Sequence, residues 1–510
     1  MDATIIKWGA FVFYVILTFY LAWLGQKKTQ SLDGYAVGGG DMKPWMVAFA
    51  LAATMTSTAT FVINPGFVYR YGISAIMGFG LSAGAGLFFG IILLTKGFRK
   101  YGTKVNALTV PQWITQRYQD ERLGTIFALI NMVMIAMIVL IAYGSAVLVD
   151  ATLGLEAIIG VYHFEVALAF IILFVFAYTM YGGTYAHVYT NTVQGFMMII
   201  VAILLVCSGY EHWGTMFTQL KAQDPNLVEF INPGSHLFRN FFEVFIANFC
   251  IGFALTSQPH FLIKALYVKT DREVNQYLAL TMLIGSLYLM VVMVGLYARL
   301  KFGDTYIGHM DQVTSIYIIQ SFGPVTSALI SIALLAAGMS TLDGILVALT
   351  AIFSNDIYLT FRKKKLSSMD KESKLRLALK ISQITLVVLG IISFGICLQQ
   401  YYSQKLSIAI YAQTWIYAFC NASVYPLVMG MFYENVRKIP IFSAAFVAVV
   451  VHLAMSHIPA LSLVTNSAHL TYPGDYINPA LTAAVGLICG GIVLVLDELR
   501  FRIFRSKGSL

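Results

Sequence analysis

The sequence predicts an all-α membrane protein of about thirteen transmembrane helices in one domain covering residues 1–510. Three observations carry this reading. Hydrophobic residues make up 58% of the chain and charged residues only 11%, against about 25% charged in ordinary globular domains. Mean hydropathy is +0.76. Apolar runs long enough to cross a bilayer recur from end to end, and the basic residues between them fall mostly on alternate loops.

In chain order the runs lie at 5–24, 45–71, 75–94, 123–149, 162–180, 189–208, 241–260, 275–298, 324–356, 377–399, 406–430, 439–456 and 479–497. The first lacks the basic leading segment and small-residue cleavage site of a signal peptide, so it is expected to remain as a helix. One alternate set of loops includes Lys27, Lys28, Arg99, Lys100, Lys264, Lys269, Arg362, Lys363, Lys364, Lys365, Arg500 and Lys507. It carries more than threefold the Lys and Arg of the other set, which includes Lys7, Arg70, Lys221 and Arg239. The first set is therefore expected in the cytoplasm, with the N-terminus outside and the C-terminus inside, as an odd number of spans requires. The same distribution accounts for the net charge of +9 without nucleic acid. The five cysteines, Cys207, Cys250, Cys397, Cys420 and Cys489, sit singly inside apolar runs and read as small core residues.

Three runs carry clusters of polar or helix-breaking residues that a stable span does not need. The second carries Thr54, Thr56, Ser57, Thr58 and Thr60, five hydroxyls within seven residues, followed by Pro65-Gly66. The seventh carries Asn248 and Gly252 and ends in Ser257-Gln258-Pro259-His260. The ninth carries Ser340, Thr341 and Asp343. Unwound backbone inside a membrane is tolerated only against protein or a cavity. Competing readings are packing through small polar residues, an ordinary proline-terminated helix and a structural ion pair at Asp343. An intramembrane acid is nonetheless a functional candidate by default. Carbonyls freed by an unwound helix, with two hydroxyls from a neighbour, suit a sodium ion.

The chain also carries Asp33-Gly34-Tyr35 with Gly38-Gly39-Gly40, Pro65-Gly66, Tyr71-Gly72, Ala107-Leu108-Thr109, Tyr181-Gly182-Gly183 with Gln194-Gly195, Gln258-Pro259-His260, and Met339-Ser340-Thr341-Leu342 with Asp356-Ile357-Tyr358. In this order and spacing, over roughly residues 8–435, the chain resembles the sodium:solute symporter family. The resemblance implies a LeuT-type core of two inverted five-helix repeats, approximately 45–208 and 241–430, with peripheral helices at 5–24, 439–456 and 479–497. It implies a sodium site at the carbonyls of Ala53, Thr56 and Ala337 and the hydroxyls of Ser340 and Thr341. It implies substrate contacts from Ser57, Thr60, Gly78, Ser82, Ile251 and Leu255. Three departures stand out. Met55 replaces an aspartate of proline carriers, Ile251 and Leu255 replace their tryptophan and tyrosine, and Asn191 replaces an aspartate common in the family. The run from Pro65 to Gly72, and Tyr267, look more like pantothenate carriers.

The expected function is secondary active transport by alternating access. A small organic solute, a monocarboxylate or pantothenate-like anion, enters across the inner (plasma) membrane with sodium. Alternatives are a sodium/proline or other amino-acid symporter, or a proton-coupled symporter of the same fold. Asp343 is expected to supply the intramembrane charge that Asn191 lacks. An enzyme is not expected, because no nucleophile elbow, zinc-binding helix or phosphate loop is present. His163, His212, His236, His309, His452, His457 and His469 read as scattered near loops. The expected partners are the solute, sodium as coupling ion and the lipid bilayer, with no other cofactor or metal, no nucleic acid and no obligate protein partner.

Overall fold

The computed structural model describes residues 3–27, 42–105, 107, 109–304, 310–403, 408–434, 437–457, 471–472 and 476–507. The glycine-rich segment at 33–40, Leu108, His309 and His469 lie outside the described residues.

Among the described residues, eleven helices are long and apolar enough to cross a membrane: Ile5–Gln26, Ile73–Gly102, Glu121–Leu153, Leu155–Met180, Tyr185–His212, Asp271–Phe302, Pro324–Leu359, Glu372–Ser403, Ile408–Phe432, Lys438–His457 and Pro479–Phe501. Two further spans are bent pairs, Pro44–Met55 with Ala59–Tyr71 and Phe242–Leu255 with Pro259–Leu266. All thirteen expected spans are thus located, and they are numbered below in chain order. Each bent pair heads a set of five, spans 2–6 and spans 7–11. The fifth and sixth spans are joined by helical backbone that continues through Gly182-Gly183 within His163–Cys207. The described residues also include a two-residue antiparallel pair, Thr471–Tyr472 with Tyr476–Ile477.

Local chemistry sets several boundaries. Asp120 caps the fourth span, its carboxylate accepting from the amides of Arg122 and Leu123. A hydrogen bond from Lys438, with these amides, holds the Asp120 carboxyl below the usual carboxylate range. That contact ties the start of span 4 to the start of span 12. Thr270 and Glu273 form a reciprocal capping box that opens span 8. Gly72, at φ +65°, turns the chain between spans 2 and 3 where a Cβ would strike the Leu227 carbonyl.

The solvent around the bundle is lipid rather than water, so its outer surface can remain apolar. Phe13, Leu173, Ile391 and Phe446 are exposed, as expected of lipid-facing positions. The ninth span is the opposite case. Every residue from 330 to 346 is buried, on all faces of the helix. It runs through the centre, and it is the span that carries Ser340, Thr341 and Asp343.

Spans 3 and 7 cross with their backbones in contact. A Cβ at Gly86 would overlap the Phe249 carbonyl, and one at Gly252 would overlap the Ala83 carbonyl. Gly252→Leu should therefore lower the thermal midpoint of the detergent-solubilised protein, by an overpacking cost of about 1–3 kcal/mol. An unchanged melting curve would show that this crossing is not tight.

Candidate functional site

The first half of span 2 ends at Met55, where Thr56 leaves the helix with φ −116° and ψ 90°. Helix resumes at Ala59 and the axis turns by 53°. Hydroxyls promote such a break by competing for backbone groups. Thr54 Oγ1 donates to the Ala50 carbonyl at 2.6 Å, and Ser57 Oγ accepts from the Ala59 amide at 3.2 Å.

Span 9 passes directly behind the break. Ser340 Oγ reaches the carbonyls of Ala53 at 2.9 Å and Ala337 at 2.8 Å. Thr341 Oγ1 donates to the Thr54 carbonyl at 3.0 Å and lies 3.4 Å from the Ala337 carbonyl. Four of the five residues expected to hold sodium therefore meet. Their oxygens are neutral and hard, the donor set a sodium ion requires, and each hydroxyl can turn its lone pairs to a cation. The fifth, Thr56, lines the adjacent cavity, and Thr54 contributes the carbonyl that Thr341 reaches.

Next to these oxygens lies a buried polar cluster. Asp343 Oδ1 is 2.8 Å from His187 Nδ1. Asn191 Nδ2 donates to the Ser340 carbonyl at 3.1 Å and to Thr54 Oγ1 at 3.3 Å, and it lies 3.3 Å from His187 Nδ1. Lys264 Nζ donates to Thr54 Oγ1 at 3.0 Å and to the His260 carbonyl at 3.2 Å. Asp343 and Lys264 are each only 1% exposed and Asn191 is fully enclosed. Asp343 Oδ2 and Asn191 Oδ1 have no hydrogen-bond partner. Gly344 lets the His187 ring approach, since a Cβ there would sit 3.0 Å from its Cε1.

Span 7 breaks between Leu255 and Pro259 with a turn of 63°, and Gln258 is extended at the start of the second half. Between the two broken spans lies a cavity of about 150 Å³. Its polar lining comes from Thr56, Ser57, Thr60, Asn64, Asn248, Gln258, Gln413 and Tyr417. Its apolar lining includes Met55, Phe79, Leu87, Ile251, Leu255 and Leu289. No Asp, Glu, Lys, Arg or His lines it among the described residues. Gln258 Oε1 is buried without a partner.

Four of the six expected substrate contacts, Ser57, Thr60, Ile251 and Leu255, line this cavity. Gly78 and Ser82 do not. Gly78 packs against Phe238 and Asn248, and Ser82 Oγ donates to the Met77 carbonyl within its own span. Span 3 faces the cavity instead through Phe79, Ala83, Gly84, Leu87 and Phe88.

Two sequence expectations are corrected here. Lys264 is not a loop residue. After the break, span 7 re-enters the bundle through Leu266, so the lysine stem is buried and its ammonium sits beside Thr54. Nor is His452 near a loop. It is enclosed among spans 11, 12 and 13, bonded to Thr482 Oγ1 at 2.9 Å and the Thr414 carbonyl at 2.8 Å. The sequence pattern did not single out His187, and it named His260 only as the end of the Gln258-Pro259-His260 turn. His187 precedes Asn191 by four residues and shares its helix face, which is the signal that could have found it.

Two discontinuous helices meeting at mid-bundle, with a cation-suited oxygen cluster beside an uncharged cavity, define a secondary transporter of the inverted-repeat type. Residues 35–450 match the sequence profile of the sodium:solute symporter family, and the chain belongs to that family. It is 27% identical over 381 residues to a sodium/pantothenate symporter of Haemophilus influenzae, covering 73% of this chain and 75% of that one. It is 24% identical over 395 residues to an osmoregulated proline transporter of Bacillus subtilis, covering 74% and 75%. In three dimensions it resembles the substrate-bound outward-open state of a Na+-coupled sialic acid symporter. The TM-score is 0.72 at 18% identity, over 97% of this chain and 98% of that one. The fold is therefore LeuT-like, and the chain is a multi-pass membrane symporter that moves a small organic solute with sodium.

Proposed function

We propose that the solute is a small organic anion, a monocarboxylate or a pantothenate-like compound, taken up with sodium bound at Ala53, Thr56, Ala337, Ser340 and Thr341. The observation that carries the choice of an anion is the cavity itself. Among the described residues it holds no charged side chain, so a carboxylate there must be balanced by the adjacent sodium ion. Both positions at which proline carriers hold aromatic rings face the cavity with aliphatic side chains, Ile251 and Leu255. The Haemophilus relative, a sodium/pantothenate symporter, supports the same reading. Competition of acetate, pyruvate, pantothenate and proline for uptake tests it. Pantothenate or one of the monocarboxylates is expected to compete best, and proline outcompeting all three would refute the anion.

Asp343 is proposed to supply the charge that relatives place at the position of Asn191. Both side chains reach His187, and Asn191 touches the Ser340 carbonyl, so a carboxylate at either position serves the same cluster.

The proposed orientation has the N-terminus outside and the C-terminus in the cytoplasm, on the loop-charge bias, which removing Lys264 from the loops leaves intact. A reporter active only in the cytoplasm should work when fused after Leu510 and fail in the 210–238 loop. The reverse pattern would overturn this topology.

A further inference from the structure

We propose that Lys264 neutralises Asp343 in the bundle core, so that sodium occupies its site only together with an anionic solute. The inference rests on the sodium site proposed at Ser340 and Thr341 and extends it to how sodium and solute are coupled.

Lys264 has the placement of an internal counter-charge. It is enclosed, and its ammonium is held by a hydroxyl and a carbonyl, with no carboxylate in salt-bridge contact among the described residues. Thr54 joins it to the ion oxygens. The Thr54 side chain receives Lys264 and Asn191, while the Thr54 carbonyl receives Thr341. The ammonium is thus one residue away from the place proposed for sodium. Asp343 is the carboxylate of the same cluster: Asn191, which shares Thr54 Oγ1 with Lys264, lies against His187, and His187 holds Asp343 Oδ1. The other titratable groups that face this cluster are His187 on span 6, His260 on span 7, and Tyr14 on span 1 and Tyr178 on span 5, whose hydroxyls contact Met339 Sδ and the Met339 carbonyl. With both histidines and both tyrosines neutral, one lysine and one aspartate sum to zero.

The consequence follows from charge in a low-dielectric interior. Sodium entering a neutral cluster leaves one uncompensated positive charge near the middle of the bundle, which is strongly unfavourable. A carboxylate arriving in the neighbouring cavity returns the sum to zero. Each ligand then raises the affinity of the other by the same factor. Without Lys264, Asp343 alone would balance sodium, and the ion would bind well with no solute present. An uncoupled carrier would result. A zwitterionic solute brings no net charge and would not relieve the excess.

The test is binding of radioactive sodium to the purified full-length protein in nanodiscs, alone and with pyruvate or pantothenate added. Wild type should bind sodium weakly alone and at least about tenfold more tightly with whichever of the two compounds it transports. Lys264→Met should bind sodium alone roughly tenfold more tightly than wild type, and the solute should then add less than about twofold. Asp343→Asn should shift solute-free binding the opposite way. Lys264→Met combined with Asp343→Asn restores neutrality and should bring the solute dependence back towards that of wild type, while Lys264→Arg should keep it. Unchanged or weaker sodium binding in a folded Lys264→Met protein would overturn the inference. So would a double variant that behaves like Lys264→Met. If Lys264→Met does not fold, the comparison of Asp343→Asn with the double variant decides, because equal solute-free sodium binding in those two also overturns it. Sodium binding unaffected by Ser340→Ala would instead remove the sodium site itself, a failure distinguishable from that of Lys264.

Discussion

Asp343→Asn should abolish ion-driven accumulation of the solute while leaving solute binding measurable. Asp343 is almost wholly enclosed on a span buried on all faces, with one oxygen on His187 and the other unpartnered. Removing its charge leaves Lys264 as an uncompensated cation beside the proposed ion oxygens. An unpaired buried charge costs several kcal/mol, on the order of 3–5 when one partner of a buried pair is deleted. The protein can reduce that cost only by excluding sodium or by rearranging. Accumulation should therefore fall by a factor of roughly a hundred or more, since each 1.4 kcal/mol is about tenfold. Asn191→Asp in the same background should restore part of it, because Asn191 reaches the same histidine and the Ser340 carbonyl. Measuring accumulation across the pH range decides. Normal accumulation by Asp343→Asn at every pH would make this carboxylate structural and end the idea that the charge has moved from span 6 to span 9.

Ser340→Ala and Thr341→Ala should each raise the sodium concentration for half-maximal uptake by roughly tenfold, on the order of 1–2 kcal/mol for one lost oxygen ligand. The maximal rate should change less, because neither side chain lines the solute cavity. Both hydroxyls lie against carbonyls of the broken second span, Ser340 on Ala53 and Thr341 on Thr54. Each substitution also removes a bond between the two spans. A Thr341→Ser control keeps the hydroxyl and should retain near wild-type sodium dependence. Wild-type sodium dependence in both alanine variants would place the ion elsewhere.

What was legible in the sequence was whatever is written in local pattern. Spanning length shows in runs of apolar residues, and all thirteen spans fall where those runs lie. The broken helices show as hydroxyls and prolines where a stable span needs none, and both breaks fall at the clusters around Thr56 and Gln258. The pairing of Ser340 with Ala53 joins residues far apart in the chain, so it was available only through family resemblance. Side-chain direction was harder. Gly78 and Ser82 lie on the correct span but face Phe238 and their own backbone, because the span's π-helical turn from Ile76 to Ser82 changes which residues face inwards. Lys264 was hidden for a related reason. A lysine just after a proline turn at the end of an apolar run reads as a loop residue, unless the helix beyond the turn is known to fold back into the bundle. His187 carries no local motif and His260 only closes the Gln258-Pro259-His260 turn, and their importance appears only when spans 6, 7 and 9 are brought together.

The most direct test of the central claim is uptake into proteoliposomes containing only this protein. Labelled acetate, pyruvate, pantothenate and proline would be offered singly, with an inward sodium gradient or an inward proton gradient imposed separately. Concentrative uptake of pantothenate or one of the monocarboxylates is expected, driven by the sodium gradient and lost when sodium is equal on both sides. Accumulation driven by the proton gradient in sodium-free buffer would contradict it.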